Sequence, residues 1–321
     1  MNEVIVVFPH AGVPDAFSGP QRRWLARGAV HAVQDTAEPL DHVLKALGLP
    51  EVGTGHAALR LLGETGVAPS DWIAAADPIL LMPRLRDVVA QKIPGALVPD
   101  GDLEEIIETA QSELGDPGTT QFRKPGRSAY LVSREPMPTS SVSPGPLHGL
   151  RPDAFLPEGP GAYSFHRLHS ELQMLLHDHP VNRRRVAAGL PVISGLWIWG
   201  GGTPPAKVPQ ALPMLFGDDP LFSGYWQHAG GCRTSWPGSL SQCLESSADT
   251  AVVNIPESGD GGLDAAAIAV VDEIITLMKN GRLRHATMFF GNELRAQQSR
   301  YDRLKLWRKL PDVLKREVAD E

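Results

Sequence analysis

The stretch from Ala251 to Phe290 decides the fold class. It opens with the apolar run Ala251-Val-Val-Asn-Ile255 and closes with a second apolar run, Ala286-Thr-Met-Phe-Phe290. Between them, Leu263 to Lys279 carries apolar side chains at helical spacing, which predicts an amphipathic helix. Short apolar strands that alternate with helices are typical of an α/β fold with a mostly parallel sheet flanked by helices.

The same two patterns recur upstream of this stretch. They predict strands at Val4–Phe8, Ile79–Leu85, Ala129–Ser133 and Leu196–Trp199. They predict helices at Gln21–Val33, Pro39–Leu47, Gly55–Leu62, Asp102–Leu114, Ser164–Asp178 and Val181–Ala188. Asp77-Pro78 is interpreted as a turn that leads into the second strand.

A change of amino-acid composition at residues 112–161 indicates how the domains are organised. Sixteen of these 50 residues are Gly or Pro, which favours a linker or an extended segment. We therefore expect an N-terminal α/β part at residues 1–111 and a C-terminal α/β part at residues 162–321. The two α/β parts are expected to pack together as one unit.

Composition excludes several classes of protein. The net charge of −7 over 321 residues argues against a general nucleic-acid-binding protein. No apolar run approaches the 18 or so residues that span a bilayer, and the first residues lack the basic start of a secretory signal. Two cysteines do not make a disulfide scaffold. We expect a cytoplasmic protein without nucleic-acid or membrane partners.

Residues 166–185 form the densest polar segment, with four histidines in its first 14 residues. On a helix, His166, Ser170, Gln173 and His177 share one face. That face is either the wall of a site or a solvated surface opposite a leucine stripe. The segment has no His-Glu-x-x-His pattern, and the sequence predicts neither a metal nor another cofactor here.

Two further features could bind a ligand. The run Arg183-Arg184-Arg185 suits phosphate or carboxylate oxygens, although a solvated charge run explains it equally well. In Leu196-Trp197-Ile-Trp199-Gly200-Gly-Gly202, the glycines permit a close approach of the backbone. This run lacks the spacing of a dinucleotide-binding fingerprint or of a P-loop. The candidate ligand-binding residues are Gln173, Asn182, Arg183, Arg185, Trp197, Trp199, Gly200 and Gly202.

The two segments together carry a family resemblance. The matching pattern is Glu171-x-Gln173-Met174-Leu175-x-His177-x-His179-Pro180-Val181-Asn182-x-x-Arg185, followed by Leu196-Trp197-x-Trp199-Gly200-x-Gly202. It resembles bacterial phosphoglycerate-mutase-like proteins, also called the regulator-of-pathogenicity-factors type E family. It is also similar to archaeal-type cofactor-independent phosphoglycerate mutases. This resemblance implies a core like that of alkaline phosphatase and phosphoryl transfer at two metal ions.

The metal ligands that the resemblance implies are not in the sequence. An Asp-Gly pair is expected after the first strand, where this chain has Pro9-His10-Ala11-Gly12. An Asp-His pair is expected late in the chain, where only His228 and His285 follow Trp199. We therefore predict a degenerate core that binds a small anionic ligand or a protein partner in a regulatory role.

Two alternatives remain open. An active mutase or phosphatase with a rearranged site would use His10, Glu171, His177 and His179 as acid, base or Mn or Zn ligands. In a purely structural role, Asn182 and Arg185 would clamp the backbone while Trp197 and Trp199 pack in the core.

Overall fold

A computed structural model describes residues 3–8, 17–33, 35–206, 211–247, 249–257, 265–291, 294–305 and 307–314. Its strands are β1 (Glu3–Phe8), β2 (Ala29–Ala32), β3 (Trp72–Pro83), β4 (Val88–Lys92), β5 (Thr120–Arg123), β6 (Tyr130–Ser133), β7 (Gly195–Gly202), β8 (Met214–Phe216), β9 (Arg233–Thr234), β10 (Thr250–Asn254), β11 (His285–Phe290) and β12 (Leu294–Ser299). Its helices are α1 (Gly19–Arg27), α2 (Pro39–Ala46), α3 (His56–Thr65), α4 (Asp100–Leu114), α5 (Pro144–Leu147), α6 (Ala162–His177), α7 (Pro180–Ala187), α8 (Pro220–Ala229), α9 (Leu240–Ser246) and α10 (Ala265–Lys279). Within these ranges, none of the helices has the length and hydropathy that crossing a bilayer requires.

The chain forms two compact units. The first unit contains residues 1–35, 209–219 and 229–321, and the second contains residues 36–208 and 220–228. The boundaries expected from composition, after residues 111 and 161, both lie within the second unit. The Pro/Gly-rich segment contributes β5, β6 and α5 to that unit.

A mixed sheet forms the centre of the first unit. The described strands follow the order β2-β12-β11-β1-β10-β8-β9. β1 lies between β10 and β11 and is parallel to both, with Ile5 opposite Val252 and Thr287. β12 and β2 extend one side of the sheet in antiparallel fashion. This arrangement confirms the α/β class, with helices against a sheet whose centre is parallel.

Helices α1, α9 and α10 contribute to the core of this unit. Phe8 and Phe290, from neighbouring strands, stack with ring centroids 4.7 Å apart. Val271, Ile274 and Met278 on α10 are buried in the same cluster, as the helical spacing predicts. The hydrophobic effect of burying this apolar stripe holds α10 against the sheet.

The strands that the structure describes in the second unit pair with one another in antiparallel fashion. They follow the order β4-β3-β6-β5, and β7 also pairs with β3. Helices α4, α6 and α7 contribute apolar side chains to one core cluster with this sheet. An expectation of a mostly parallel sheet is wrong for this half of the molecule.

Three local predictions are wrong. The predicted helix Gln21–Val33 ends at Arg27, because Gly28 adopts an extended conformation and β2 then pairs with β12. Asp77-Pro78 is not a turn, because β3 runs through it and pairs with β7 there. The three glycines do not follow a strand but belong to it, since β7 continues to Gly202.

Candidate functional site

Strand β7 fixes both candidate tryptophans within the second unit. The indole nitrogen of Trp197 donates a hydrogen bond to the carbonyl of Val142 at 2.7 Å. The indole nitrogen of Trp199 donates to Oδ2 of Asp77, also at 2.7 Å. Both rings are buried. The two indoles therefore lie in the core with their N–H groups satisfied, as buried tryptophans usually do.

Asp77 connects Trp199 to a polar network that the sequence did not reveal. Nη1 of Arg60 donates to both oxygens of Asp77, at 2.9 and 2.8 Å. The same guanidinium lies over the rings of Tyr130 and Trp199, 4.9 and 5.4 Å from their centroids. Burial raises the pKa of the Tyr130 hydroxyl. Arg60, Asp77 and Tyr130 come from separate elements, so no local motif could have shown this cluster.

A second polar pair lies at the start of α3. Nε2 of His56 donates to Oδ2 of Asp41 at 2.9 Å, and both side chains are buried. Nearby, the carboxylate of Glu38 accepts hydrogen bonds from the backbone and hydroxyl of Ser143, at 2.9 and 3.0 Å. Burial raises the pKa of Glu38 to about 7. These contacts connect α2 to the start of α3 and to the residue before α5 within the second unit.

The candidate glycines Gly200 and Gly202 allow a neighbouring helix to pack closely against β7. Gly200 has a φ of +63°, and a Cβ there would lie 3.2 Å from the backbone nitrogen of Ala57. A Cβ on Gly202 would lie 2.7 Å from the backbone nitrogen of Gly55. The start of α3 thus occupies the space above these glycines. Their close approach serves the packing of a helix on a strand.

Asn182 holds two segments of backbone together. Its amide nitrogen donates to the carbonyls of Leu176 and Ile193, at 2.7 and 2.8 Å. Its side-chain oxygen accepts from the backbone nitrogen of Ile193 at 2.8 Å. The residue is buried. Asn182 therefore fixes the end of α6 to the segment that enters β7.

Arg185 acts in a similar way and is 1% exposed. Its guanidinium donates to the carbonyls of Pro191 and Leu97, each at 2.8 Å, and to Oδ2 of Asp102 at 2.9 Å. Arg184 pairs instead with Glu105 at 2.6 Å on the surface. Arg183 is exposed. The run of three arginines therefore does not present a common surface to one anion.

The histidines of residues 166–179 also differ in whether they are buried or exposed. Nδ1 of His179 accepts from the backbone nitrogen of Val181 at 3.2 Å and so caps α7. Its Nε2 lies 3.0 Å from the hydroxyl of Thr109, and burial lowers its pKa. His169 is buried against Trp197, and burial lowers its pKa as well. His177 is exposed at the end of α6.

The remaining candidates lie apart from these groups. Glu171 is half-buried and pairs with Arg167 at 3.4 Å. Gln173 is half-buried, and its Cγ would lie 3.6 Å from a Cβ on Gly195. His10 lies outside the described residues. In the ranges that the structure describes, no three His, Cys, Asp or Glu side chains come together as a metal site.

The carboxyl ends of the parallel strands in the first unit form a second candidate region. Asp218 and Asp219 follow β8, Asn254 ends β10, and Glu257 lies three residues beyond that end. β8 and β10 are neighbours, and β10 is next to β1. Ligands of open α/β sheets usually bind at the carboxyl ends of the strands. Polar residues directly after apolar strands were the signal that sequence reasoning missed.

Sequence matches link the chain to one group of enzymes. A 2,3-bisphosphoglycerate-independent phosphoglycerate mutase of Methanosarcina barkeri is 27% identical over 106 residues, which cover 32% of this chain and 27% of that protein. One of Methanothrix thermoacetophila is 41% identical over 51 residues, which cover 16% of this chain and 13% of that protein. Over about a third of its length, the chain shows distant homology to the 2,3-bisphosphoglycerate-independent phosphoglycerate mutases. It spans about a quarter or less of the length of the curated relatives it matches. No protein-family model matches it.

Two solved structures resemble the chain over most of its length. The cofactor-independent phosphoglycerate mutase of Thermoplasma acidophilum has a TM-score of 0.40 at 19% identity, covering 93% of this chain and 89% of that one. The PH0037 protein of Pyrococcus horikoshii has a TM-score of 0.48 at 13% identity, covering 93% and 87%.

The late histidines do not fit the metal site that the mutase resemblance implies. Nε2 of His228 donates to the carbonyl of Pro205 at 2.7 Å within the second unit. His285 begins β11 and therefore lies at the amino end of that parallel strand. The opposite end of the sheet is the one that binds ligands in such folds. Within the first unit, His285 therefore lies at the end of β11 opposite the carboxyl ends of β1 and β10.

Proposed function

We propose that this chain is a phosphoglycerate-mutase-like protein that has lost two-metal phosphoryl transfer. It acts by binding a small anionic ligand or a protein partner. The single observation that carries the proposal is the position of the late histidines. His228 is hydrogen-bonded to a backbone carbonyl, and His285 lies at the amino end of β11.

The resemblance to bacterial proteins of the regulator-of-pathogenicity-factors type E family gives this role its finer form. Under that resemblance, the protein is a cytoplasmic pseudoenzyme that regulates another process. The internal use of Asn182 and Arg185 supports the loss of catalysis, because both side chains are hydrogen-bonded to the backbone and leave the exposed Arg183 as the candidate contact for an anion.

Metal content and turnover test the loss of catalysis. The purified chain is incubated with Mn²⁺ and Zn²⁺, desalted, and analysed for bound metal, and the interconversion of 2- and 3-phosphoglycerate is assayed in parallel. The Methanosarcina barkeri mutase, treated in the same way, is the positive control. We expect less than one metal per chain and no turnover. Two metals per chain together with turnover would refute the proposal.

Thermal unfolding tests the anionic ligand. We expect 3-phosphoglycerate or sulfate to raise the melting temperature of the native chain, since a ligand that binds only the folded state stabilises it. Arg183→Met should abolish this shift, because the Arg183 guanidinium is exposed. Arg184→Met is the matched control, since Arg184 already pairs with Glu105. If no anion shifts the melting temperature, only the protein-partner form of the proposal survives.

A second candidate function is an active phosphoryl-transfer enzyme with a rearranged site. The observation that favours it is the set of polar residues that end or follow β8 and β10 along the chain, namely Asp218, Asp219, Asn254 and Glu257. In this form, Asp218→Asn together with Glu257→Gln abolishes turnover. Glu245→Gln on the exposed face of α9 is the matched control and leaves turnover unchanged.

A further inference from the structure

The segment from Arg300 to Lys309 exposes apolar and basic side chains together. Tyr301, Leu304 and Trp307 are 60%, 64% and 77% exposed. The same segment contains the basic residues Arg300, Arg303, Lys305, Arg308 and Lys309. We name these eight residues the aromatic–basic surface. Large apolar side chains that are exposed as a group mark interaction sites more often than single ones do.

The aromatic–basic surface is held in place from its first residues. Asp302 is buried, and its carboxylate accepts a hydrogen bond from the backbone nitrogen of Ser299 at 2.7 Å. Its other oxygen pairs with Nζ of Lys305 at 2.6 Å. Since Ser299 ends β12, this carboxylate ties the segment to the sheet of the first unit.

The far end of the segment is fixed as well. The guanidinium of Arg308 donates to the carbonyl of Gly28. Leu310 packs on the core of the first unit, and Leu314 is buried in it. Nη1 of Arg22 donates to the carbonyl of Leu314 at 3.2 Å. Tyr301, Leu304 and Trp307 are exposed and lie at or between these two anchored ends.

The charge of this surface is opposite to that of the chain. Five of its eight side chains are cationic, whereas the whole chain carries a net charge of −7. Asp302 is the acidic residue within the segment, and it is buried with Lys305 as its partner. The guanidinium of Arg300 lies 4.7 Å from the ring centroid of Tyr301 and holds that aromatic side chain in place. A partner that matches this surface must be acidic and must offer apolar groups.

The residue types favour a protein as that partner. Trp, Tyr and Arg are the side chains that most often dominate binding energy at protein interfaces. Arginine also pairs with carboxylates through two parallel hydrogen bonds. A membrane-surface segment would be an amphipathic helix, whereas the helical part here is the three-residue turn Asp302–Leu304. We propose that the aromatic–basic surface binds an acidic segment of a partner protein that carries leucine or aromatic side chains.

This inference makes the partner-binding form of the proposed function specific and rests on it. Its test needs neither metal nor a phosphorylated substrate. A negative result here therefore does not change the result of the turnover assay. Detection of turnover, in the same way, does not change the result of this binding test.

The experiment is a fluorescence-anisotropy titration of the full chain. The probe is a labelled 15-residue peptide in which Glu and Asp alternate with Leu and Phe. A peptide with Lys in place of the acidic residues is the charge-reversed control. The variants are Trp307→Ala and the double variant Arg303→Glu with Lys309→Glu, all at exposed positions.

The chain supplies a matched control surface of similar chemistry. Leu85, at the turn between β3 and β4, is 96% exposed and is flanked by the exposed Arg84 and Arg86. This turn has one apolar and two basic side chains but no aromatic ring. Leu85→Ala with Arg84→Glu removes equivalent groups at a site where we expect no binding.

The expected result is binding of the acidic peptide alone. We expect Trp307→Ala and the charge-reversal variant each to weaken binding at least tenfold, as loss of a central aromatic or arginine contact does. The Leu85 control should bind like the native chain. Added salt should weaken binding, because the charges lie at an exposed surface.

Four outcomes would overturn the proposal. The first is no binding of the acidic peptide, and the second is equal binding by the Trp307→Ala variant. The third is binding to phosphatidylglycerol vesicles or to a DNA duplex but not to the peptide, which would assign the surface to a membrane or a nucleic acid. The fourth is a dimer in sedimentation that Trp307→Ala dissociates, which would assign it to a second copy of this chain.

Discussion

The segments Leu176–Trp199 and Arg300–Lys309 both combine arginine with aromatic side chains. In the first segment several of these side chains point into the protein, and in the second several point toward solvent. In the first, Arg185, Asn182 and Trp197 turn their polar groups inward to backbone carbonyls. In the second, Arg303, Trp307 and Lys309 face solvent. A dense polar motif therefore does not by itself indicate a binding surface. What distinguishes these two sets of side chains is whether their polar groups are hydrogen-bonded within the protein.

The largest effect is expected from Arg185→Met. The substitution removes the closer of two cationic partners of Asp102, together with the hydrogen bonds to the carbonyls of Pro191 and Leu97. Breaking a buried ion pair by removing one partner costs about 3–5 kcal/mol. We expect a loss of about 3 kcal/mol in the free energy of unfolding, measured with urea. Arg184→Met should cost about 0.5 kcal/mol, since exposed pairs contribute little. Equal losses in the two variants would contradict the comparison.

Asn182→Ala should follow with a loss of about 2–3 kcal/mol. It removes three hydrogen bonds to the backbone of Leu176 and Ile193, and those groups stay buried without partners. Urea unfolding measures this loss. Gln173→Ala on the half-buried face of α6 is the control and should change stability by less than 1 kcal/mol. A small loss for Asn182→Ala would mean that water replaces the side chain.

The strength of the periodic pattern decided which parts of the fold were predictable. The strand at Val4–Phe8 and the helices at Asp102–Leu114 and Ser164–Asp178 are confirmed to within two residues, because their apolar residues follow a clear pattern. The antiparallel sheet was not predicted. It pairs residues such as Trp72 and Ser133, which are 61 positions apart, and such pairing leaves no local signal.

The candidate residues were less predictable than the fold. The sequence could place Asn182 and Arg185 on or near helices but could not show where their hydrogen bonds end. One open alternative, a clamp on the backbone, agrees with the contacts of both residues. The Arg60–Asp77 pair joins a helix and a strand, so it became visible only in three dimensions.

His179 should make the first segment sensitive to acid. Burial lowers the pKa of His179, and its Nδ1 must be unprotonated to cap α7. The unfolded chain then binds more protons below pH 6.5, the ordinary value. The stability from His179 is therefore present above pH 6.5 and is lost as the pH falls through the lowered value. Protonation also removes a cap that is worth about 1 kcal/mol.

His179→Asn tests this dependence, because asparagine caps helices without titrating. We expect the free energy of unfolding of the variant to fall less steeply below pH 6.5 than that of the native chain. His177→Asn is the control, since His177 is exposed at the end of α6. A variant that keeps the native slope would show that His179 does not cause the acid sensitivity.

The smallest effect is expected from Trp307→Ala. The side chain is 77% exposed, so its removal should change the free energy of unfolding by about 0.5 kcal/mol or less. Urea unfolding and the melting temperature both measure this change. A large loss would mean that Trp307 stabilises the fold, and it would remove the contrast with the inward-facing segment.

The split of the first unit along the chain has a consequence for synthesis. β1 pairs with β10 and β11, so Glu3 lies opposite Thr250 and His285. At 5–20 residues per second, the ribosome needs about 15–60 s to supply the second of these partners. Residues 36–208 emerge in the meantime, while the apolar strand Val4–Phe8 waits without its sheet. Until then, the apolar side chains of Val4–Phe8 lack both of the strands that flank them in the folded sheet, so β1 is the part of the first unit that stays exposed longest during synthesis.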